Sequence, residues 1–208
     1  LMTAKNTLKT TGKRTLIVYA HPYDGSFNHA ILEEVKAGLE ASGRPYEVID
    51  LYADGFDPRY TAEELSLFSK GETTDPLVER YQKMIEASDS WIFVSPIWWS
   101  DVPAILKGFL DKVMKQKWAY LPSSTGVKGK LTHVRSAWAI TTSTGPTFYY
   151  RVSGKNGVRR VFLGQAVKQL GVRKRRWTHF GRVNLVDDEP RTRFLAKVRK
   201  MAERFGNR

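Results

Sequence analysis

The sequence predicts an α/β protein: a doubly wound, five-stranded parallel sheet with helices on both faces. Two observations lead there. Short apolar runs rich in β-branched and aromatic residues recur along the chain, among them 15–20 (TLIVYA) and 90–95 (SWIFVS). Segments with helical spacing of apolar residues separate them, so strands and helices alternate about five times, the pattern of a parallel sheet covered on both faces. A third observation sets the scale. The 208 residues are 41% hydrophobic and of one texture, which suits a single domain over 14–208 behind a basic tail at 1–13, expected to be disordered.

The elements follow in order. Strand one is 15–20, and the loop 21–26 (HPYDGS) ends at Ser26, which can cap a helix over 27–41. That helix carries Phe27, Ala30, Ile31, Val35 and Leu39 on one face and closes at Gly43. Strand two is 46–51. A polar excursion with a small helix near 62–69 follows, and Pro76 opens a helix to about 88. Strand three, 90–95, is almost continuously apolar, as expected of a strand buried on both faces. The loop 96–100 (PIWWS) leads to a helix near 102–115. A fourth strand runs into the turn 140–146 (ITTSTGP), then come a helix near 158–170, a strand at 172–180 and a C-terminal helix opened by 187–190.

Composition removes whole classes of function. There is no cysteine, which excludes disulfides, thiolate catalysis and cysteine-held zinc or iron–sulfur. His21, His29, His133 and His179 are scattered, so no metal site is expected. No stretch approaches the roughly 20 apolar residues of a bilayer span, and no apolar signal-peptide core precedes strand one; a cytoplasmic protein without membrane insertion is expected. The net charge is +13, concentrated at 173–176 (RKRR) and in the last helix. It reads first as a solvated basic surface and second as attraction to phosphate-bearing ligands. Nucleic acid comes third, resting on the run 173–176 alone, since no nucleic-acid-binding motif accompanies the charge.

In open parallel sheets, ligands bind outside the carboxyl ends of strands. The loops after strands one, three and four therefore hold the candidate site. The first leads into a helix N-terminus, whose free N–H groups suit phosphate, and adds His21, Ser26 and Asn28. It carries neither a dinucleotide-binding glycine pattern nor a P-loop. The second holds Trp98 and Trp99, which cannot both face one core; a flat ring system suits at least one of them. The third, 141–145, is rich in hydroxyls, can turn backbone N–H groups toward a polar ring edge, and is followed by Tyr149, a possible hydrogen-bond donor to a reacting oxygen.

Taken together, the stretches LIVYAHP with SFN, FVSPIWW with PAILKGF, and ITT resemble the flavodoxin-like NAD(P)H:quinone oxidoreductases of the DT-diaphorase type and their short bacterial relatives. The resemblance implies a flavodoxin-like fold and a flavin, FAD with FMN as the alternative. It implies a homodimer, and two-electron ping-pong hydride transfer from NAD(P)H through the flavin to a quinone-like acceptor. By position, His21, Ser26, Phe27 and Asn28 would hold the phosphate end. Pro96, Ile97, Trp98 and Trp99 would line the ring. Thr141, Thr142, Ser143 and Gly145 would meet its pyrimidine side, and Arg191 would lie near the adenosine half. Tyr149 falls at the place of an active-site tyrosine. The family's glycine pair is replaced by Ser143 and Thr144, and the histidine of the animal enzymes by Lys155 or Asn156, so Lys155 joins Tyr149 as a catalytic candidate. Relatives that reduce azo dyes or nitroaromatics, and others that regulate potassium efflux channels, supply the alternative readings.

Overall fold

The structure is a computed structural model that describes residues 14–153 and 156–205. The tail 1–13 and Lys155 lie outside the described residues. Five parallel strands form the sheet: β1 (Thr15–Tyr19), β2 (Tyr46–Asp50), β3 (Ser90–Pro96), β6 (Ser136–Thr142) and β7 (Lys174–Phe180), in the order β2-β1-β3-β6-β7. A two-stranded antiparallel hairpin, β4 (Tyr120–Ser123) and β5 (Gly126–Gly129), stands apart from it. The chain leaves β1 toward β2 and returns to the other side of β1 at β3. The direction of winding therefore reverses between β1 and β3, where a ligand crevice is expected.

Alternation along each strand makes two cores. Ile17, Tyr19, Ile92, Val94, Trp138 and Ile140 face α1 (Phe27–Ala41) and α6 (Asp188–Glu203). Leu16, Val18, Trp91, Phe93, Ala137 and Ala139 face the opposite layer. That layer contains α3 (Pro76–Glu86), α4 (Ala104–Val113) and the helix Val158–Val167. Both faces being covered explains why strands such as 90–96 read as unbroken apolar runs. Two helix starts were legible residue by residue. The Ser26 Oγ accepts the His29 N–H (3.1 Å), and Asp75 caps α3 by accepting from the Leu77 N–H (2.9 Å).

Several elements differ from the sequence-based expectation. α4 starts at Ala104, because Pro103 is its N-cap, with a ψ of 151° that lies outside the helical region. The small helix α2 (Ala62–Leu67) ends in a 3₁₀ turn. The β4–β5 hairpin was not expected. Its register is held by Lys130 N–H to Ala119 O (2.8 Å), and Gly129 passes so near Leu170 that a Cβ would lie 2.2 Å from its carbonyl carbon. The short helix α5 (Thr147–Val152) was also unforeseen. The helix Val158–Val167 has the wider π spacing, rarely sustained over ten residues, and nothing in its sequence marks it.

Candidate active site

The three loops converge at the carboxyl ends of β1, β3 and β6. Asn28, in the first turn of α1, donates from Nδ2 to the Thr142 Oγ1 at the end of β6 (2.9 Å). The Ile97 N–H, just beyond β3, donates to Thr142 O (2.7 Å). Thr142 therefore ties loop one to loop three and loop two to loop three. On the outer side, Phe27 packs on Phe180 (ring centroids 4.8 Å apart), and the Ser143 N–H donates to Phe180 O (3.1 Å), joining the end of β7. His21 bonds through Nδ1 to its own loop, 3.1 Å from Tyr23 N and 3.2 Å from Tyr23 O, which leaves Nε2 as the nitrogen for a ligand. Burial lowers its pKa below the ordinary 6.5, so the neutral ring prevails at pH 7.

The hydroxyls expected to meet a ligand are instead turned inward. Thr141, Thr142 and Ser143 are all buried. Thr141 Oγ1 accepts from Trp177 Nε1 (2.9 Å) and lies 3.0 Å from His179 Nδ1; His179 Nε2 lies 3.0 Å from Ser143 Oγ, which donates to Gly145 O (2.8 Å). His179 Nδ1 also lies 3.0 Å from Thr141 O, which can only accept, so the neutral ring carries its proton on Nδ1, and Nε2 is the acceptor facing the Ser143 hydroxyl, which it shares with Gly145 O. Burial pushes the His179 pKa down to about 4, helped by the nearby Arg151 charge and opposed by the Thr141 carbonyl, which keeps this network uncharged at pH 7. The side chains of loop three thus build a rigid frame, and its backbone is what remains to bind. Among the described residues, the N–H groups of Thr144 and Gly145 have no protein acceptor, like those of Phe27 and Asn28 at the helix start. Trp177 and His179 escaped the sequence reading because a histidine alone in a strand carries no local signal of its partners.

Loop two is a tight turn. Trp98 and Asp101 exchange backbone bonds (3.0 and 3.1 Å), and the two residues between them, Trp99 and Ser100, both have positive φ (50° and 68°). Glycine and asparagine ordinarily fill such a turn; a tryptophan there stores strain of order 1–3 kcal/mol. The Trp99 side chain is fully exposed and Trp98 half-exposed. Tyr23, Phe148 and Tyr149, on the neighbouring loops and α5, are exposed as well. Gly157 braces the turn: its N–H donates to Ser100 O (2.9 Å), and a Cβ would fall 2.7 Å from that oxygen.

That brace brings Asn156 beside the turn. Asn156 is buried, its Oδ1 accepts from the Arg159 N–H (2.9 Å), and its Nδ2 has no partner. Asn28 Oδ1 is likewise buried and unpartnered. Two orphaned polar atoms at the strand ends fit a ligand with hydrogen-bonding edges. Arg191 is more committed than the sequence suggested. It donates to Val186 O (3.0 Å) and Val183 O (2.5 Å) and covers the Phe27 ring at 5.6 Å, fixing the loop after β7 against α1.

Comparison with known proteins decides the family. A model described as flavodoxin-like fold (Flavodoxin_2) matches residues 13–205. The chain belongs to this flavodoxin-like family. Within it, the chain is 34% identical over 168 residues to the ribosyldihydronicotinamide dehydrogenase [quinone] of Pongo abelii, covering 73% of this chain and 72% of that one. It is 31% identical to NAD(P)H dehydrogenase [quinone] 1 of Cavia porcellus, of whose length it spans 60%. A solved NAD(P)H:quinone oxidoreductase from Methanothermobacter marburgensis superposes with a TM-score of 0.82 at 27% identity, over 93% of this chain and 98% of that one. The flavodoxin-like fold and the oxidoreductase class expected from the sequence agree with these relatives. Among the described residues, no helix is long and apolar enough to cross a membrane.

Proposed function

We propose that the protein is a flavin-dependent NAD(P)H:quinone oxidoreductase, catalysing NAD(P)H + quinone + H⁺ → NAD(P)⁺ + quinol. The observation that carries this reading is the convergence of three loops on Thr142, with exposed tryptophans on one side and orphaned polar atoms on the other. When bound, the flavin supplies hydride acceptance and donation. The residues of this chain supply position. The start of α1, with Ser26, Phe27, Asn28 and His21 Nε2, holds the phosphate end. The strained Pro96–Ile97–Trp98–Trp99 loop lines the ring, and the N–H groups of Thr144 and Gly145 meet its polar edge. The frame built by His179, Thr141 and Ser143 keeps that edge from shifting.

On the acceptor side, Tyr149 and the unpartnered Nδ2 of Asn156 would serve as donors to the quinone oxygen; Lys155, the other candidate at this place, lies outside the described residues. FAD is the favoured flavin and FMN the alternative, with Arg191 near the adenosine half. A second copy of the chain would cover Trp99 and Phe148, making the working form a homodimer. The test is stopped-flow mixing of flavin-loaded protein with NADPH and with NADH, followed by a quinone. Flavin absorbance should bleach and then recover; no bleaching with either nucleotide would sink the enzyme reading.

A further inference from the structure

Charge is unevenly placed along this chain. Between Asp111 and Asp187 there is no aspartate or glutamate, while sixteen lysines and arginines fall in that stretch. The rest carries 18 lysines and arginines against 21 acidic residues, so the entire surplus of +13 belongs to one continuous segment. The fold brings the densest part of it to the β7 edge of the sheet, where Lys174, Arg175 and Arg176 open the strand.

Two concavities flank β7. One, of about 450 Å³, is lined by Arg151, Arg159, Arg175 and Arg176 with the half-buried ring of Trp177. The other, of about 480 Å³, is lined by Lys174, Arg175, Arg176 and Arg204. Arg175 and Arg176 border both, so the concavities meet across the strand, and no carboxylate lines either. Among the described residues, none of Arg151, Arg159, Arg175 and Arg176 enters an ion pair; Arg175 donates to Val172 O (2.6 Å) and Arg173 O (2.7 Å). Guanidinium groups crowded without a counter-charge repel one another and hold a cloud of small anions. A polyanion that displaces those ions gains their release.

Arg175 lies opposite Ala137, five residues before Thr142. At about 3.3 Å per residue the Arg175 end of the groove sits roughly 16 Å from the strand-end loops, while its other end reaches Arg151 on α5. Trp177, stacked on His179 with rings 15° apart and 5.2 Å between centroids, is held rigid and offers an apolar wall to a base. A run of two joined concavities suits a chain of phosphates better than a single one.

We propose that the β7 edge is a groove for single-stranded nucleic acid, separate from the strand-end site. Fluorescence anisotropy of a labelled oligonucleotide with the whole protein tests this. The slope of log affinity against log salt should be about −3, from about four phosphates at ~0.7 each. The variant R151Q/R159Q/R176Q should bind at least about tenfold more weakly and show a slope of about −1. An equal loss of charge on the opposite flank, K70Q/K83Q/K107Q, should weaken binding less than about twofold, with both variants melting within a few degrees of the parent. Absence of binding at about 50 mM salt overturns the proposal. So does equal weakening in both variants, which would mean general charge attraction. So does displacement by inorganic phosphate or NADP⁺ at concentrations matching the oligonucleotide, which would make this a site for a small phosphate ester. Tighter binding to anionic lipid vesicles than to the oligonucleotide would assign the edge to membranes instead.

Discussion

Lys115 and Lys112 around helices α2 to α4, and Arg44 at the amino ends of β1 and β3, are almost wholly buried and each meets a carboxylate: Glu64 at 2.9 Å, Asp75 at 2.7 Å, and Asp89. Along the β7 edge, Arg151, Arg159 and Arg176 stay in water and meet none. A charge taken out of water needs a partner at hand, so the first region spends its acidic residues on internal pairs. A charge left in water is already solvated and needs none, so the second region can accumulate one sign at little cost to the fold. The comparison separates cations that hold the structure from cations available to something outside it.

Breaking the first region should do the most damage. Lys115→Met leaves Glu64 buried and uncompensated, although Thr73 and Thr74 still bond to it, and should destabilise the protein by about 3–5 kcal/mol in urea unfolding. Pairing it with Glu64→Gln should recover part of that loss.

Acid should dissect the molecule in two steps. Burial lowers the His179 pKa from an ordinary 6.5 to about 4, so the unfolded chain binds a proton there that the native state refuses. Stability is full above pH 6.5 and drains as pH falls toward 4, by roughly 3 kcal/mol at most. Burial alone would raise the pKa of Glu64, but Lys115 and the bonds from Thr74 and Thr73 outweigh it and draw the carboxyl to about 2. Its contribution is present above pH 4.5 and drains between there and about 2. Calorimetric melting across pH should show both windows. His179→Gln should flatten the upper one alone, and Glu64→Gln the lower one alone; an unchanged upper window in His179→Gln would show that the network is not what titrates.

Smaller effects belong to the strand-end loops. Asn28→Ala removes the tie to Thr142 and should weaken flavin retention about tenfold, at about 1 kcal/mol in stability, read by fluorescence of released flavin. Trp99→Gly relieves the left-handed turn and should raise stability by about 1 kcal/mol while lowering turnover, the signature of strain kept for function. Smallest of all, R151Q/R159Q/R176Q should leave stability within about 0.5 kcal/mol of the parent, since all three residues are exposed.

Much of this was legible in the residues. Apolar runs at 15–20 and 90–95 announced strands buried on both faces, and Ser26 and Pro76 marked helix starts where the structure has them. The loop 96–100 declared itself through two tryptophans that no single core could hold. The β4–β5 hairpin and α5 were missed because the periodicity of so short an element is indistinguishable from that of a loop. The role of the third loop was misjudged in one respect. Its hydroxyls look like ligand donors in sequence, yet Thr141 and Ser143 face His179, nearly forty residues away along the chain.

By itself the sequence determined the order of strands and helices and the excess of positive charge, and it pointed to three strand ends as the candidate site. Those follow from local spacing and composition, which act over a few residues. Only the tertiary structure decided that Thr142 would join all three loops, that His179 would be neutral and buried, and that Arg175 and Arg176 would meet Arg151 and Arg159 around one edge strand. Each of these depends on contacts between distant segments, and burial and electrostatics act through space rather than along the chain.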